Sequence, residues 1–344
     1  MPESCADLKC PNSHLAIASK KPRCGQDLVI ARINELRKVS LHGACSFDRM
    51  GGSLLVRGAE REGQKQDMEE RFRFIRKEIE THYLQGRESQ RLSGDRGELE
   101  RLRTQAILGR SLPAAPAVVF DVGGAAGVYA FPLAKQGYLV HLIDPVELHL
   151  EQARSYAASS GIALGSIVRG DARHLDVPSR SADAVLLLGP LYHLVEHSDR
   201  LAVLREVHRI LTPRGVLFAA AISRFASLID GLASGFFRDA EFRKIVAEDI
   251  ASGQHRNPTN HPAYFTTAYF HRPEDLAAEV HAGGFGDVQI VAIEGPVWSA
   301  ALFHEAWDDP VQRKSLMEFL SLIEREPSVQ AASAHLMAVA RRPN

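Results

Sequence analysis

The sequence predicts an α/β protein whose core is a doubly wound, mostly parallel β-sheet. Short apolar runs alternate along the chain with longer stretches in which apolar residues recur every three or four positions, as in successive βαβ units. One run, Val118–Val122, is too short for a helix and leads into Gly123, which is typical of a central strand covered on both faces. We therefore expect helices on both sides of a single sheet.

The composition is that of a globular protein without a strong electrostatic field. The 344 residues are 45% hydrophobic and 24% charged, and the formal net charge is -1. A dedicated nucleic-acid binder would need a clustered basic surface, which this balance disfavours. No apolar run approaches the roughly 20 residues of a membrane-spanning helix, and the N-terminus lacks the apolar core of a secretory signal. These observations predict a cytoplasmic protein with no membrane span and no nucleic-acid partner.

Residues 1–67 are predicted to form a disordered leader, because their apolar residues are sparse and interrupted by proline and glycine. All the cysteines of the chain lie in this leader: Cys5, Cys10, Cys24 and Cys45. Their spacing, even with His14 included, is not the paired Cys-x-x-Cys of a zinc site, so we predict no metal. The folded domain is then expected to span residues 68–344.

Two amphipathic helices are predicted before the first strand. The first begins near Met68, and its apolar residues recur at three- and four-residue spacing: Phe72, Ile75, Ile79 and Tyr83. The second carries Leu99, Leu102 and Ile107 and ends at a proline-rich linker, residues 113–116. Tyr83 could touch a ligand, but we expect it to belong to the helix surface.

Strand and helix then alternate to the end of the chain. The predicted strands after the first are residues 138–143, 166–169, 184–188, 216–222, 288–293 and 334–340. Predicted helices are residues 127–136, 146–159 and 310–324, with another that begins near Ser198 and ends at residues 212–215. The segment 224–270, between the fifth and sixth strands, is too long for a simple connection and is predicted to be a helical lid.

The turn after the first strand is the best candidate for a ligand site. It contains Asp121 and the glycines Gly123, Gly124 and Gly127. Glycine permits backbone angles that a side chain would resist, and a bare turn lets a ligand lie against the main chain. The order differs from the Gly-x-Gly-x-x-Gly of dinucleotide-binding turns. By itself the turn leaves two interpretations open, a nucleotide-like ligand or no ligand at all.

This turn resembles motif I of the class I S-adenosylmethionine-dependent methyltransferases, Asp/Glu-x-Gly-x-Gly-x-Gly, with Ala125 at the middle glycine. Residues 187–194 and 222–225 resemble the small-molecule branch that includes the ubiquinone and menaquinone methylases. The resemblance implies a Rossmann-like sheet of seven strands with an antiparallel last strand. It also implies N-terminal helices that close over the cofactor, S-adenosyl-L-methionine, and a small-molecule methyl acceptor.

The resemblance further implies which residues hold the cofactor. Asp144, at the end of the second strand, would accept both ribose hydroxyls, although capping of the next helix is an alternative role. Asp171 would accept from the adenine amino group. The full cofactor-binding set is Asp121, Gly123, Gly124, Ala125, Gly127, Asp144, Asp171, Ala172 and Gly189.

The methyl acceptor is expected where the fourth strand ends, because ligands of open parallel sheets collect at the carboxyl ends of the strands. His193 is the candidate catalytic residue, since a neutral imidazole there could take a proton from an acceptor hydroxyl. Aromatic and imidazole groups at the exit and on the lid suit a closed pocket for a small molecule. The predicted acceptor-binding residues are Tyr192, His255, His261 and Tyr269.

Two other functions remain open. A nicotinamide-dependent reductase would use a similar sheet, but the spacing of the glycines and the two C-terminal strands disfavour it. A cofactor-binding protein without catalytic activity is the second alternative, and Ala125 is the residue that supports it. The acceptor atom, which can be oxygen, nitrogen or carbon, is not determined by the sequence.

Overall fold

The computed structural model describes residues 76–86 and 88–344. The leader predicted for residues 1–67 and the beginning of the first predicted helix, with Phe72 and Ile75, lie outside these residues. The described chain starts with three helices: α1 (Lys77–Leu84), α2 (Glu88–Arg91) and α3 (Asp95–Ser111). Within the described ranges, no helix has both the length and the apolar character that a membrane crossing requires.

The described residues contain nine strands: β1 (Val118–Val122), β2 (Leu139–Asp144), β3 (Ser166–Arg169), β4 (Ala182–Leu187), β5 (Leu211–Ser223), β6 (Gln254–His255), β7 (Ala268–His271), β8 (Gly286–Ala292) and β9 (His335–Arg341). Strands β3, β2, β1, β4 and β5 are neighbours in that order, and all pair in parallel. Strand β9 pairs antiparallel with both β5 and β8. The predicted doubly wound, mostly parallel sheet with an antiparallel last strand is confirmed.

The later helices of the described chain are α4 (Ala130–Lys135), α5 (Glu147–Ser160), α6 (Pro190–His193), α7 (His197–Ile210), α8 (Ala226–Ser234), α9 (Ala240–Ser252), α10 (Pro273–Ala282), α11 (Phe303–Asp308), α12 (Pro310–Ile323) and α13 (Pro327–Gln330). Alternate residues of β1 pack on opposite layers. Val118 and Phe120 join the cluster that contains Val207 of α7, whereas Val119 joins the cluster that contains Ile107 of α3. The central strand is therefore covered on both faces, as its apolar run predicts.

The prediction of seven strands was wrong, because two short strands lie in the segment predicted to be a helical lid. Strand β7 pairs in parallel with Ile222 and Ser223 at the end of β5, beyond Ala219, where the pairing with β4 stops. Strand β6 forms a two-residue antiparallel pair with β7. Segment 224–270 thus combines α8 and α9 with an extension of the sheet.

Strand β5 also begins five residues earlier than the prediction of residues 216–222. Leu211 already pairs with Ala182, and the Thr212 hydroxyl donates a hydrogen bond to the Ala182 carbonyl oxygen at 3.1 Å. Arg214 then adopts a positive φ of 63°, and the register between the two strands shifts. The Thr-Pro-Arg-Gly sequence that predicts a turn is an irregularity within a strand.

A buried ion pair joins α7, α10 and β7. Arg200 donates to the Glu279 carboxylate at 2.6 Å, and its guanidinium lies 3.7 Å from the ring centre of Tyr269. His271 lies 3.1 Å from the same carboxylate. Burial opposes ionisation of Glu279, but the hydrogen bonds from His271 and Arg200 lower its pKa to about 2. Glu279 is therefore a carboxylate, and it compensates the buried charge of Arg200.

Candidate functional site

A cavity lies at the carboxyl ends of β1, β2 and β4, where the strand order reverses around β1. Its floor is the glycine turn, and its sides are the beginning of α5, the loop after β3 and the exit of β4. Helices α1 and α2 contribute the remaining wall. The strand-end segments that line it are residues 121–126, 144–146, 170–173, 188–190 and 192–194. The structure thus brings the predicted cofactor segments together around one space.

The backbone of the turn requires its glycines. A Cβ atom on Gly124 would lie 2.5 Å from Cγ of Asp121, and one on Gly123 would lie 2.6 Å from Cγ of Pro190. Gly123 also has a positive φ of 70°. Ala125, which replaces a glycine of the family motif, adopts a positive φ of 47°, a conformation that glycine adopts at less cost. Ala125 therefore holds a left-handed backbone conformation despite its methyl group.

Asp144 is buried beside this turn and is held by three donors. Its Oδ2 accepts from the backbone N–H of Ala125 at 2.9 Å. Its Oδ1 accepts from the backbone N–H of Val146 at 2.9 Å and from Nδ1 of His149 at 3.0 Å. The carboxylate therefore helps to start α5 and also lines the cavity, so the two roles predicted as alternatives are compatible.

Asp121 lies beneath the turn and is 1% exposed. Its Oδ2 atom is buried and finds no hydrogen-bond partner in the described part of the chain. Burial, with a smaller contribution from the nearby charge of Asp144, raises the pKa of Asp121 to about 7. This carboxyl is therefore poised between its neutral and charged forms near neutral pH.

Asp171 and Ala172 line the cavity at the loop after β3. The Asp171 carboxylate is occupied by Arg173, whose Nη2 donates to Oδ2 at 2.6 Å and whose Nε lies 3.1 Å from each oxygen. The backbone N–H of Arg173 also donates to Oδ1 at 2.9 Å. An adenine contact would have to share this carboxylate with Arg173, and the role of Asp171 stays a prediction.

At the opposite wall, His193 forms a hydrogen bond with Tyr83. The Tyr83 hydroxyl lies 2.5 Å from Nε2 of His193. Burial lowers the pKa of His193 to about 3, although the Thr267 backbone has a smaller, opposite effect. Burial also raises the pKa of Tyr83. Both side chains are thus neutral at pH 7. Tyr83, which was expected on the helix surface with a ligand contact as the alternative, lines the cavity.

Tyr192 lines the cavity, but the other predicted acceptor residues do not. His255 is buried against Asp249, with Nδ1 3.0 Å from the carboxylate, and its ring stacks on Phe270. Tyr269 packs against the Arg200 guanidinium described above. His261 is exposed. The local partners of these side chains hold them away from the cavity.

The loop before β7 nevertheless contacts the wall of the cavity through a different residue, Phe265. The ring of Phe265 lies 5.8 Å from that of His193, centre to centre, and 5.5 Å from that of His82 on α1. Beside it, the hydroxyls of Thr266 and Thr267 donate to the backbone oxygen and the carboxylate of Glu78, at 3.4 and 3.2 Å. Helix α1 and residues 265–267 therefore form one joint cover beside the Tyr83–His193 pair.

Glu100, Glu294 and His335 form a second group, whose ligand-type atoms lie within 4.8 Å of one another. Burial opposes protonation of His335, but the charges of Glu100 and Glu294 raise its pKa to about 9. Its Nδ1 lies 2.6 Å from Oε1 of Glu294. His335 and Glu294 thus form an ion pair within this group.

Residues 119–215 match the model of the family described as methyltransferase domain. The ubiquinone biosynthesis O-methyltransferase of Methylocella silvestris is 32% identical over 111 residues, which are 31% of this chain and 40% of that protein. The enzyme of the same name from Caulobacter vibrioides is 26% identical over 106 residues, 31% of this chain and 41% of that protein. The chain thus spans about two fifths of the length of these relatives.

Solved structures that resemble the chain include a possible histamine N-methyltransferase from Thermotoga maritima. It is 16% identical, with a TM-score of 0.47, and the match covers 76% of this chain and 96% of that one. Residues 119–215, which contain the glycine turn and Asp144, are thus similar to the methyltransferase domain family.

Proposed function

We propose that the protein transfers the methyl group of S-adenosylmethionine to a small organic molecule bound at the Tyr83–His193 end of the cavity. One observation carries the proposal. The glycine turn and the Asp144 carboxylate are joined by a hydrogen bond at the floor of a cavity, inside the segment that matches the methyltransferase domain. The matches cover only about two fifths of the length of the curated relatives, so the activity of those enzymes supports the proposal by analogy.

The polar atoms of the cavity fit this cofactor. Among the described residues, three buried atoms that belong to cavity-lining side chains lack a hydrogen-bond partner: Asp121 Oδ2, His149 Nε2 and His193 Nδ1. S-adenosylmethionine carries an ammonium group, two ribose hydroxyls and an adenine amino group, all of which are donors. We propose that Asp144 holds the ribose, that residues 123–127 lie against the methionine part, and that Asp171 lies at the adenine.

The sulfonium of the cofactor supplies a methyl group that is already activated for transfer. The contribution of the protein is therefore to orient the acceptor and to exclude water, which can account for about 7 to 11 kcal/mol of a barrier when alignment is good. Neutral Tyr83, Tyr192 and His193 form the acceptor end. With a pKa of about 3 and its Nε2 engaged by Tyr83, His193 is a weak base and is better suited to orient the acceptor.

The rings at this end favour an acceptor that is at least partly aromatic. The ring centres of Tyr83 and Tyr192 lie 5.2 and 4.7 Å from that of His193, and Phe265 lies on the same group. Flat apolar surfaces of this kind pack well against a planar ligand. Two relatives are named ubiquinone biosynthesis O-methyltransferases, which agrees with a ring-bearing acceptor. The acceptor atom itself stays open.

We also propose that residues 68–344 form the methyltransferase domain, with segment 224–270 as an insertion that covers the acceptor, and that the protein is cytoplasmic. The described residues that line the cavity lie between Arg76 and Leu194, within the proposed domain. Deletion of residues 1–67 should leave the affinity for S-adenosylhomocysteine unchanged in calorimetric titration. A large loss of affinity would show that the leader contributes to the site.

Calorimetric titration of the full chain with S-adenosylmethionine, S-adenosylhomocysteine and NADH tests the cofactor. We expect both sulfur compounds to bind and NADH not to bind. Binding of NADH alone would instead support the reductase. Incubation with methyl-labelled cofactor then tests the acceptor, and label should appear in pooled small metabolites and not in bulk tRNA or protein. Binding without transfer to any of the three pools would support the inactive cofactor-binding alternative.

A further inference from the structure

The hydrogen bonds of Asp144 limit what its carboxylate can still accept. An ionised carboxylate offers about four lone-pair positions. Three of them are used by the backbone N–H groups of Ala125 and Val146 and by Nδ1 of His149. About one position remains, whereas the ribose of the cofactor presents two hydroxyl donors. A second acceptor is therefore needed if both hydroxyls are to be bound.

His149 provides an acceptor at this place. It is the third residue of α5, it is 3% exposed, and it lines the cavity. Because a carboxylate can only accept, Nδ1 must carry the proton that it donates to Asp144, and in the neutral ring Nε2 is then an acceptor. Nε2 is buried and has no hydrogen-bond partner among the described residues. A buried acceptor without a partner is costly unless a ligand supplies the donor.

We propose that His149 binds one ribose hydroxyl of the cofactor through Nε2 while Asp144 binds the other. This inference rests on the proposed function, since it takes the ribose to lie at Asp144. In the same arrangement, the Nδ1–H group of His149 positions the Asp144 carboxylate. The acidic residue and the helix that follows it thus act as one ribose site, in which the hydrogen bond between Asp144 and His149 fixes the orientation of both side chains.

The unmodified protein gives the first test. Its affinity is measured by calorimetry for S-adenosylhomocysteine and for the 2′-deoxy and 3′-deoxy analogues of this compound. Removal of either hydroxyl leaves one acceptor unpaired, so each analogue should bind about tenfold more weakly. If either analogue binds as tightly as S-adenosylhomocysteine, only one acceptor is in use and the proposal is refuted.

The variant His149→Asn gives the second test. Its amide can still donate to Asp144 from the position of Nδ1, but no atom replaces Nε2. We expect this variant to bind S-adenosylhomocysteine about tenfold more weakly than the parent does. The variant should also bind one of the two deoxy analogues as tightly as it binds S-adenosylhomocysteine, because the acceptor for the missing hydroxyl is already absent. Unchanged affinity for S-adenosylhomocysteine in this variant would overturn the proposal.

The variant His255→Asn is the matched control. His255 also pairs through Nδ1 with a buried aspartate, Asp249, and its Nε2 is also buried without a partner among the described residues, but it does not line the cavity. Its affinity for S-adenosylhomocysteine should equal that of the parent. An equal loss in both variants would point to a general effect of breaking a buried pair and would refute a specific contact of His149.

Two further outcomes separate this inference from the proposed function. If the parent protein binds S-adenosylhomocysteine and the His149→Asn variant binds it equally tightly, only the inference about His149 is overturned. A parent protein that does not bind the compound overturns the proposed function, and the inference falls with it. If His149→Asn does not fold, as judged by thermal unfolding, the analogue series on the parent still decides.

Discussion

Replacement of Asp121 by asparagine should make the protein more stable, and increasingly so as the pH rises. The carboxyl has an ordinary pKa of 3.8, whereas burial and the charge of Asp144 raise it to about 7 in the folded protein. Between these values the unfolded chain has lost the proton and the folded chain keeps it, so ionisation favours unfolding. The pKa values differ by about three pH units, and each unit corresponds to about 1.36 kcal/mol. The cost of Asp121 therefore reaches about 4 kcal/mol above pH 7.

Urea unfolding of the parent and of Asp121→Asn at pH 5 and pH 8, without cofactor, measures this cost. Linkage with the two pKa values gives a destabilisation of about 2 kcal/mol at pH 5 and about 4 kcal/mol at pH 8. The stability advantage of the variant should thus grow by about 2 to 3 kcal/mol between these pH values, and the comparison of two pH values cancels any constant effect of the amide. If the free energy of unfolding changes equally with pH in the two proteins, the raised pKa of Asp121 is refuted.

Three further predictions concern the site and its support. Asp144→Ala should weaken binding of S-adenosylhomocysteine by about 1.5 to 3 kcal/mol in calorimetry, because it removes a charged acceptor, and equal affinity would exclude the ribose contact. Glu279→Gln should lower the free energy of unfolding by about 3 to 5 kcal/mol in urea titration, since Arg200 keeps a buried charge without compensation, and an unchanged midpoint would contradict this. Once an acceptor is found, His193→Ala should lower kcat roughly 10-fold to 100-fold through loss of alignment and leave cofactor affinity within about twofold. The kcat profile of the parent should show no inflection from His193 between pH 5 and 8, because its pKa is about 3, and an inflection near 6.5 that disappears in this variant would restore its role as a base.

The sequence allowed the parallel part of the sheet to be predicted well, because those strands are buried apolar runs bounded by turn residues. Residues 166–169 match β3 in full, and β1, β2 and β4 begin and end within two residues of the prediction. Strand β7 was missed because Ala268–His271 contains two aromatic residues and a histidine, and this short sequence has no distinctive periodicity. Its strand conformation depends on pairing with β5, which is a tertiary contact.

Some of the site residues could likewise be predicted from the sequence, and others could not. The glycine turn and Asp144 follow strands closely, so their position in the fold follows from the strands themselves. For Tyr83 the sequence left two roles open, and its spacing of four residues from buried Ile79 was a signal that it shares the inner face of α1. The sequence gives no sign that His149, and not another of the many histidines of the chain, pairs with Asp144, five residues earlier. Its importance depends on an unpaired nitrogen, which only the packed structure reveals.

The joint cover of α1 and residues 265–267 has a consequence for the order in which the molecule can assemble. The two hydrogen bonds that close it join residues 188 and 189 positions apart in the sequence. Contacts of such long sequence separation form late in folding, because the entropy of closing so large a loop must first be offset by other contacts. The cavity therefore reaches its closed shape only after the strands between the two segments have paired, so retention of S-adenosylhomocysteine during refolding should report completion of the whole domain.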